Sequence, residues 1–227
     1  MEQIAMDLYN SLIYQDRYLY IIEGLKNTII MALFATIIGI ILGIIIAIIK
    51  DNNEKNGKFP ILNWIFNVYI NVIRGTPVLL QLMIIYYVIF KSVEINGVIV
   101  GIIAFGLNSS AYVAEIIKAG IKSVNKGQLE ASRALGFNYS QSMKYVIMPQ
   151  AIRNILPALG NEFITLLKET SVASYIGIVE LTKASDIIAS RTYDYFFPLI
   201  IIALIYLTMT LGLSKLVKAM ERKLLWN

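Results

Sequence analysis

Residues 21–49 read IIEGLKNTIIMALFATIIGIILGIIIAII, and a run that long and that apolar restricts the chain to one solvent. A helix needs roughly 20 mostly apolar residues to cross the hydrocarbon core of a bilayer. In lipid every backbone N–H and C=O must find its partner inside the protein, so such a run becomes a helix. Its length argues against a removable signal peptide, as does the lack of a basic leader or a small-residue cleavage site. Further spans are expected over about 61–90 (interrupted by Arg74-Gly75-Thr76-Pro77), 97–117, 152–170 and 196–217. The fourth is the weakest. The pattern predicts an all-α integral membrane helical bundle with five transmembrane helices.

Lys and Arg set the orientation of such a bundle, because they accumulate on the cytoplasmic side. Lys50, Lys55 and Lys58 follow the first span, and Lys118, Lys122, Lys126, Arg133 and Lys144 follow the third. Lys215, Lys218, Arg222 and Lys223 close the chain. These twelve share one side, against five (Arg17, Lys26, Lys91, Lys183 and Arg191) on the other. The expected topology is an extracytoplasmic N-terminal segment over 1–20 and a five-helix transmembrane domain over 21–222. A cytoplasmic loop covers 118–150, and the C-terminus is cytoplasmic. Gly39 and Gly43 form a G-x-x-x-G, expected to serve packing within the bundle rather than self-association.

Composition excludes several chemistries. Cysteine and histidine are absent, so no disulfide framework, no Cys/His zinc site and no Ser-His or Cys-His nucleophile can be built. The G-x-x-x-x-G-K-[ST] phosphate loop is missing as well. Only 15% of residues are charged, against about 25% in soluble domains.

The polar segment KAGIKSVNKGQLEASRALGFNYSQSMKYVIMPQAIRNILP stands out in this apolar chain. Asn125 is placed to cap a short helix starting near Gly127, and Gly136 suits the left-handed position that ends one. Ser140 is expected to cap the next helix, which Pro149 would break at Met148. A helix of about two turns is marginal in water and needs a surface to pack on. Ala131, Ser132 and Ala134 keep it slim, and Glu130 offers a carboxylate to a partner. The plainer reading is an ordinary amphipathic surface helix between two spans.

Within this segment Glu130-Ala131-Ser132 precedes Gly136 by three intervening residues, and nine more separate Gly136 from Val146-Ile147-Met148-Pro149. This spacing resembles the EAA loop of the permease subunits of ATP-binding-cassette importers. RGTPVLLQL at 74–82, LNSSAYVAEI at 107–116, KGQLEASRALG at 126–136 and LPALGNEFITLLKETSVAS at 156–174 resemble the polar amino-acid branch of that family. The resemblance covers residues 20–222. It implies the type I importer permease (MetI-like) fold in a bacterial plasma membrane, with Gly127, Glu130, Ala131, Ser132 and Gly136 coupling to a cytoplasmic ATPase dimer. It also implies a second permease copy, identical or a paralogue, and an extracytoplasmic solute-binding protein. ATP and Mg would be bound by the ATPase and no cofactor by this chain. No nucleic acid enters the reading, and the chain is expected to be no enzyme.

Charged residues inside a span are costly and by default mark function. At roughly 100° per residue, Asn161, Glu162, Thr165, Lys168 and Glu169 share one arc of about 120°. They are expected to line the substrate pathway, with Lys168 facing a carboxylate and a glutamate facing an ammonium or guanidinium. The competing reading pairs Lys168 with Glu162 or Glu169 to order the bundle. Asn108, Tyr112 and Glu115 share a face of the third span beside Ser109, with Asn108 deep enough to meet the fourth span. Glu115, near the cytoplasmic end, is expected to pair with a basic loop residue. Gly75 and Pro77 should kink the second span and free backbone carbonyls near Thr76 and Gln81, and Arg74 is read as a structural ion pair. For residues 171–195 the resemblance, rather than periodicity, implies a re-entrant or amphipathic gate that meets an external binding protein. Two rivals stay open: an ion-coupled carrier or channel without an ATPase, and a non-transporting scaffold.

Overall fold

The computed structural model describes residues 2–225. Met1, with which the expected N-terminal segment begins, lies outside the described residues, as do Trp226, Asn227 and the side chain of Lys55. Helices account for the architecture, and no strand occurs among the described residues. Helix α1 (Glu2–Leu12) leads through a 3-10 turn at Tyr14–Asp16 into α2 (Tyr18–Asn56). The 39 residues of α2 reach about 58 Å at about 1.5 Å per residue, well beyond the hydrocarbon core. Next come α3 (Pro60–Gly75) and α4 (Val78–Ile84), the latter extended by a π turn at Ile85–Ile89. Helix α5 (Gly97–Lys122) crosses the bundle centre. Helices α6 (Lys126–Ala134) and α7 (Tyr139–Ser142) follow, and a π turn at Met143–Ile147 joins α7 to α8 (Met148–Glu169). A 3-10 segment (Thr170–Ile176) leads to α9 (Leu181–Thr192), and α10 (Phe196–Leu225) ends the described chain.

Three of these helices, α2, α5 and α10, are long and apolar enough to cross a membrane unaided. The second span expected over 61–90, with its kink at Gly75 and Pro77, is two helices, Pro60–Gly75 and Val78–Ile89, bent by 112°. As one broken span they bring the total to four. The cause of the bend is local. Pro77 disfavours the helical region at the residue before it, and Thr76 accordingly adopts φ −125°, ψ 149°. The expected fourth span falls within α8, whose polar residues leave it less apolar than α2, α5 and α10.

Packing centres on α2 against α5. Apolar side chains gain little from leaving lipid for another helix, so close approach of small residues supplies the contact energy. A Cβ on Gly39 would sit 2.8 Å from Ser109 Oγ, and one on Gly43 would sit 2.5 Å from Val113 Cγ1. The G-x-x-x-G therefore serves internal packing, as expected. Met31 and Ala35 of α2, Leu82 of α4, Ala104 and Phe105 of α5, and Leu166 of α8 form the central core with Ala173 and Ile176.

Residues 171–195 fold as the end of the 3-10 segment, a turn and α9, and the turn is fastened to α2. Asn27 Nδ2 donates to Val179 O at 2.7 Å, and Leu181 N donates to Thr28 Oγ1 at 3.3 Å.

Candidate functional site

Two arrangements are candidates for function: a short exposed helix at one end of the bundle and a polar chain through its interior. The exposed helix is α6. Asn125 Oδ1 accepts from Gly127 N at 2.8 Å, closing the N-terminus as predicted. At the other end Gly136 has φ +89°, and Gly136 N and Phe137 N donate to Arg133 O (3.0 Å) and Ser132 O (3.2 Å). This pair of bonds is a Schellman motif. Gly127, Glu130 and Ala131 are exposed and Leu135 is 81% exposed, whereas Ser132 is only 3% exposed. The Ser132 hydroxyl donates to Leu129 O at 2.8 Å. Ser132 thus faces the protein, and Leu135 joins the outward face.

Two local expectations are corrected. The following helix is capped by Asn138 rather than Ser140: Gln141 N donates to Asn138 Oδ1 (2.9 Å) and Asn138 N to Gln141 Oε1 (2.8 Å). This reciprocal pair is a capping box. Pro149 does not end a helix but sits in the first turn of α8, where a missing N–H is tolerated. The widened π turn at Met143–Ile147 has already interrupted the helical ladder before it.

The interior chain begins at the α3–α4 bend. Thr76 Oγ1 donates to Val72 O at 2.7 Å. Gln81 Nε2 donates to Ile73 O (2.8 Å), Thr76 O (3.0 Å) and Thr76 Oγ1 (2.8 Å). Two carbonyls at the bend, Ile73 O and Thr76 O, therefore find a donor in one side chain. Asn108 Nδ2 then donates to Gln81 Oε1 at 2.9 Å, so Asn108 meets α4 and not the fourth span as expected. The residue that reaches α8 is its neighbour: Ser109 Oγ donates to Glu162 Oε1 at 2.9 Å. Successive residues point about 100° apart on a helix, so one step along α5 changes the partner helix. Glu115 lies 3.5 Å from Lys50 and 3.6 Å from Arg74, and the Arg74 guanidinium sits 5.5 Å from the Tyr112 ring centroid. Arg74 is thus a structural ion pair, and Glu115 pairs, as expected, with Lys50, a base that follows the apolar run of the first span and lies near the end of α2.

The five polar residues of α8 do not close on one pocket. Asn161, Thr165 and Lys168 are exposed, and Glu162 and Glu169 are half-buried. Among the described residues no ion pair joins Lys168 to either glutamate. Lys168 lines an open cavity of about 320 Å³ with Thr182, Ser185 and Tyr206, while Glu162 turns to α5.

Sequence reasoning passed over Glu180. It is fully buried and accepts from Thr182 N and Lys183 N, both at 2.7 Å, and from Tyr206 OH at 3.2 Å. The signal is faint, because Ser, Thr, Asp and Asn rather than Glu are the preferred caps.

The family described as "Binding-protein-dependent transport system inner membrane component" matches residues 39–226. The putative glutamine transport system permease protein GlnP of Rickettsia prowazekii (strain Madrid E) is 40% identical over 216 residues, 94% of this chain and 97% of that protein. The arginine transport system permease protein ArtQ of Bacillus subtilis (strain 168) is 42% identical over 210 residues, covering 92% and 94%. A crystal structure of an amino acid ABC transporter with histidines superposes with a TM-score of 0.84 at 47% identity, covering 90% of this chain and 94% of that one. An inward-facing form of the MetNI methionine ABC transporter shares the fold, with a TM-score of 0.71 at 18% identity, covering 91% and 98%.

Proposed function

The chain belongs to the family of binding-protein-dependent transport system inner membrane components, and on that premise we propose how it works: it carries polar amino acids and takes its drive from a cytoplasmic ATPase docked on α6. It is a multi-pass membrane permease, a transport subunit of an ATP-binding-cassette importer rather than an enzyme. Such a permease works with an ATPase and a solute-binding protein.

The observation that carries the coupling reading is α6 itself. It has nine residues, is closed by side chain and backbone at both ends, and presents Gly127, Glu130 and Ala131 outward. A helix that short is marginal in water, so a partner surface is its natural complement. In this reading the N-terminus is extracytoplasmic, and α6 and the C-terminus are cytoplasmic. The ATPase pair holds ATP and Mg, and this chain holds no cofactor.

The polar face of α8 supports a zwitterionic solute. Glu162, with Ser109 behind it, and Glu169 offer negative charge, and Lys168 offers a cation. Asn161, Thr165 and Lys168 are exposed on a single chain, which supports a second permease copy closing the pathway over them. Thr76, Gln81 and Asn108 serve the pathway by fixing the α3–α4 bend against α5. ATP binding would close the ATPase pair and rock the two permeases outward, and hydrolysis would reset them. Solute shifts this equilibrium only by its differential affinity for the two states.

The test is ATPase activity of the purified permease–ATPase complex in lipid, with its binding protein and a panel of amino acids. One solute class should stimulate the wild type, Glu130→Lys should lose stimulation, and Lys168→Ala should change the preference. An ATPase that ignores every solute, or transport that survives without an ATPase, would favour an ion-coupled carrier.

A further inference from the structure

We propose that the cleft between α1 and the α9–α10 turn is a second binding site, which takes the ammonium and carboxylate of a free amino acid at the entrance face. The inference rests on the proposed orientation and solute class. The cleft holds about 270 Å³ and is lined by Asp7, Asn10, Tyr14, Arg17, Arg191 and Asp194. Two cations and two anions thus face one cavity. Among the described residues no ion pair joins them to one another.

Three of the four charges, Arg17, Arg191 and Asp194, are held in place by something other than an opposite charge. Arg17 is only 5% exposed, its Nη1 donates to Asn10 O at 2.5 Å, and its guanidinium lies 5.2 Å from the Tyr14 ring centroid. Its Nε is buried without a partner. Arg191 lies 4.9 Å from the centroid of the Tyr20 ring. Ring stacking fixes a guanidinium plane and leaves its N–H edge for a planar anion. Asp194 Oδ1 accepts from Phe196 N at 2.9 Å, which anchors the carboxylate at the start of α10. A buried guanidinium without a counter-charge is costly, and a carboxylate bound in the arginine fork would offset that cost. The aspartates then meet the ammonium of the same molecule. A ligand bearing one charge would leave the opposite pair unanswered, so the balance selects a zwitterion.

The test uses the permease–ATPase complex in lipid nanodiscs, without binding protein or nucleotide, and equilibrium dialysis of radiolabelled glutamine and arginine. The decarboxylated amine and the des-amino acid of each are run as probes. Arg191→Gln should weaken amino-acid binding about tenfold, as expected for loss of one charge-assisted bond, and leave the amine unchanged. Asp194→Asn, which keeps the oxygen that caps Phe196, should weaken the amino acid similarly and leave the des-amino acid unchanged. Thermal unfolding checks that both variants are folded. If Arg191→Gln fails that check, Arg191→Lys replaces it and should still lose part of the affinity.

Unchanged affinity in both variants overturns the proposal, as does a wild type that binds no amino acid without its binding protein. Unchanged solute binding with lost stimulation by the binding protein would make the cleft a protein-docking site and overturn it too. Stimulation of the ATPase by amino acids plus binding protein is measured alongside. Its absence would mark failure of the solute assignment rather than of this cleft.

Discussion

The Ser109 hydroxyl donates to a carboxylate oxygen of Glu162 at 2.9 Å, and this contact ties the centre of α5 to the polar face of α8. Ser109 is fully buried, so the bond lies where water is scarce and its loss is felt. Ser109→Ala should lower stability by about 1–3 kcal/mol, the cost of leaving a buried acceptor without its donor. Glu162→Gln keeps an oxygen to accept from Ser109 and should be milder in stability while still impairing transport. Thermal unfolding in detergent beside an uptake assay separates the two effects.

Gly43 approaches Val113 so closely that any side chain must displace it, with a built Cβ 2.5 Å from Val113 Cγ1. Gly43→Ala should destabilise the protein by about 1–3 kcal/mol through overpacking. Adding Val113→Ala removes the obstructing methyl groups and should restore much of the loss. A double-mutant cycle on unfolding midpoints reads this directly. Simple additivity of the two changes would refute the contact as the cause.

Gly136 sits at φ +89°, where an L-residue is strained by about 1–2 kcal/mol. Gly136→Ala should therefore distort the end of α6 and lower solute-stimulated ATPase activity more than it lowers the unfolding temperature. Gly136→Asn, which tolerates the left-handed region better, should retain more coupling. Equal coupling losses in the two variants would show that backbone conformation is not what the glycine supplies.

The α3–α4 bend depends on one amide. Gln81 satisfies Ile73 O and both oxygens of Thr76 and also accepts from Asn108. Gln81→Leu should leave those carbonyls bare and loosen the bend. Hydrogen exchange over residues 73–82 should rise in the variant, with exchange in α6 unchanged. An unaltered exchange pattern would mean that Pro77 alone sets the angle.

What was legible in the sequence was local or periodic. The cap of Asn125, the left-handed Gly136 and the close approach at Gly39 and Gly43 each follow from the chemistry of one residue and its spacing. The polar arc of α8 follows from helical period. What was hidden depended on distant partners. Pro77 signals a break but not a 112° angle, nor the Gln81–Asn108 bond that ties the bend to α5 across 27 residues of sequence. Period alone put Asn108 opposite the fourth span, when its neighbour Ser109 takes that place. Ser132 was grouped with the outward small residues, yet it lies on the face of α6 turned to the protein, about 100° round the helix from exposed Ala131. Glu180 gave little warning: it caps α9 locally through Thr182 N and Lys183 N, but glutamate is not a preferred cap, and its Tyr206 contact and burial come from distant packing.

The most direct test of the central claim is uptake of radiolabelled glutamine and arginine into proteoliposomes holding the permease, its ATPase and the binding protein. The account predicts uptake that requires ATP hydrolysis, persists when ion gradients are collapsed, and is abolished by Glu130→Lys. Uptake driven by an ion gradient without ATP, and indifferent to Glu130→Lys, would contradict it.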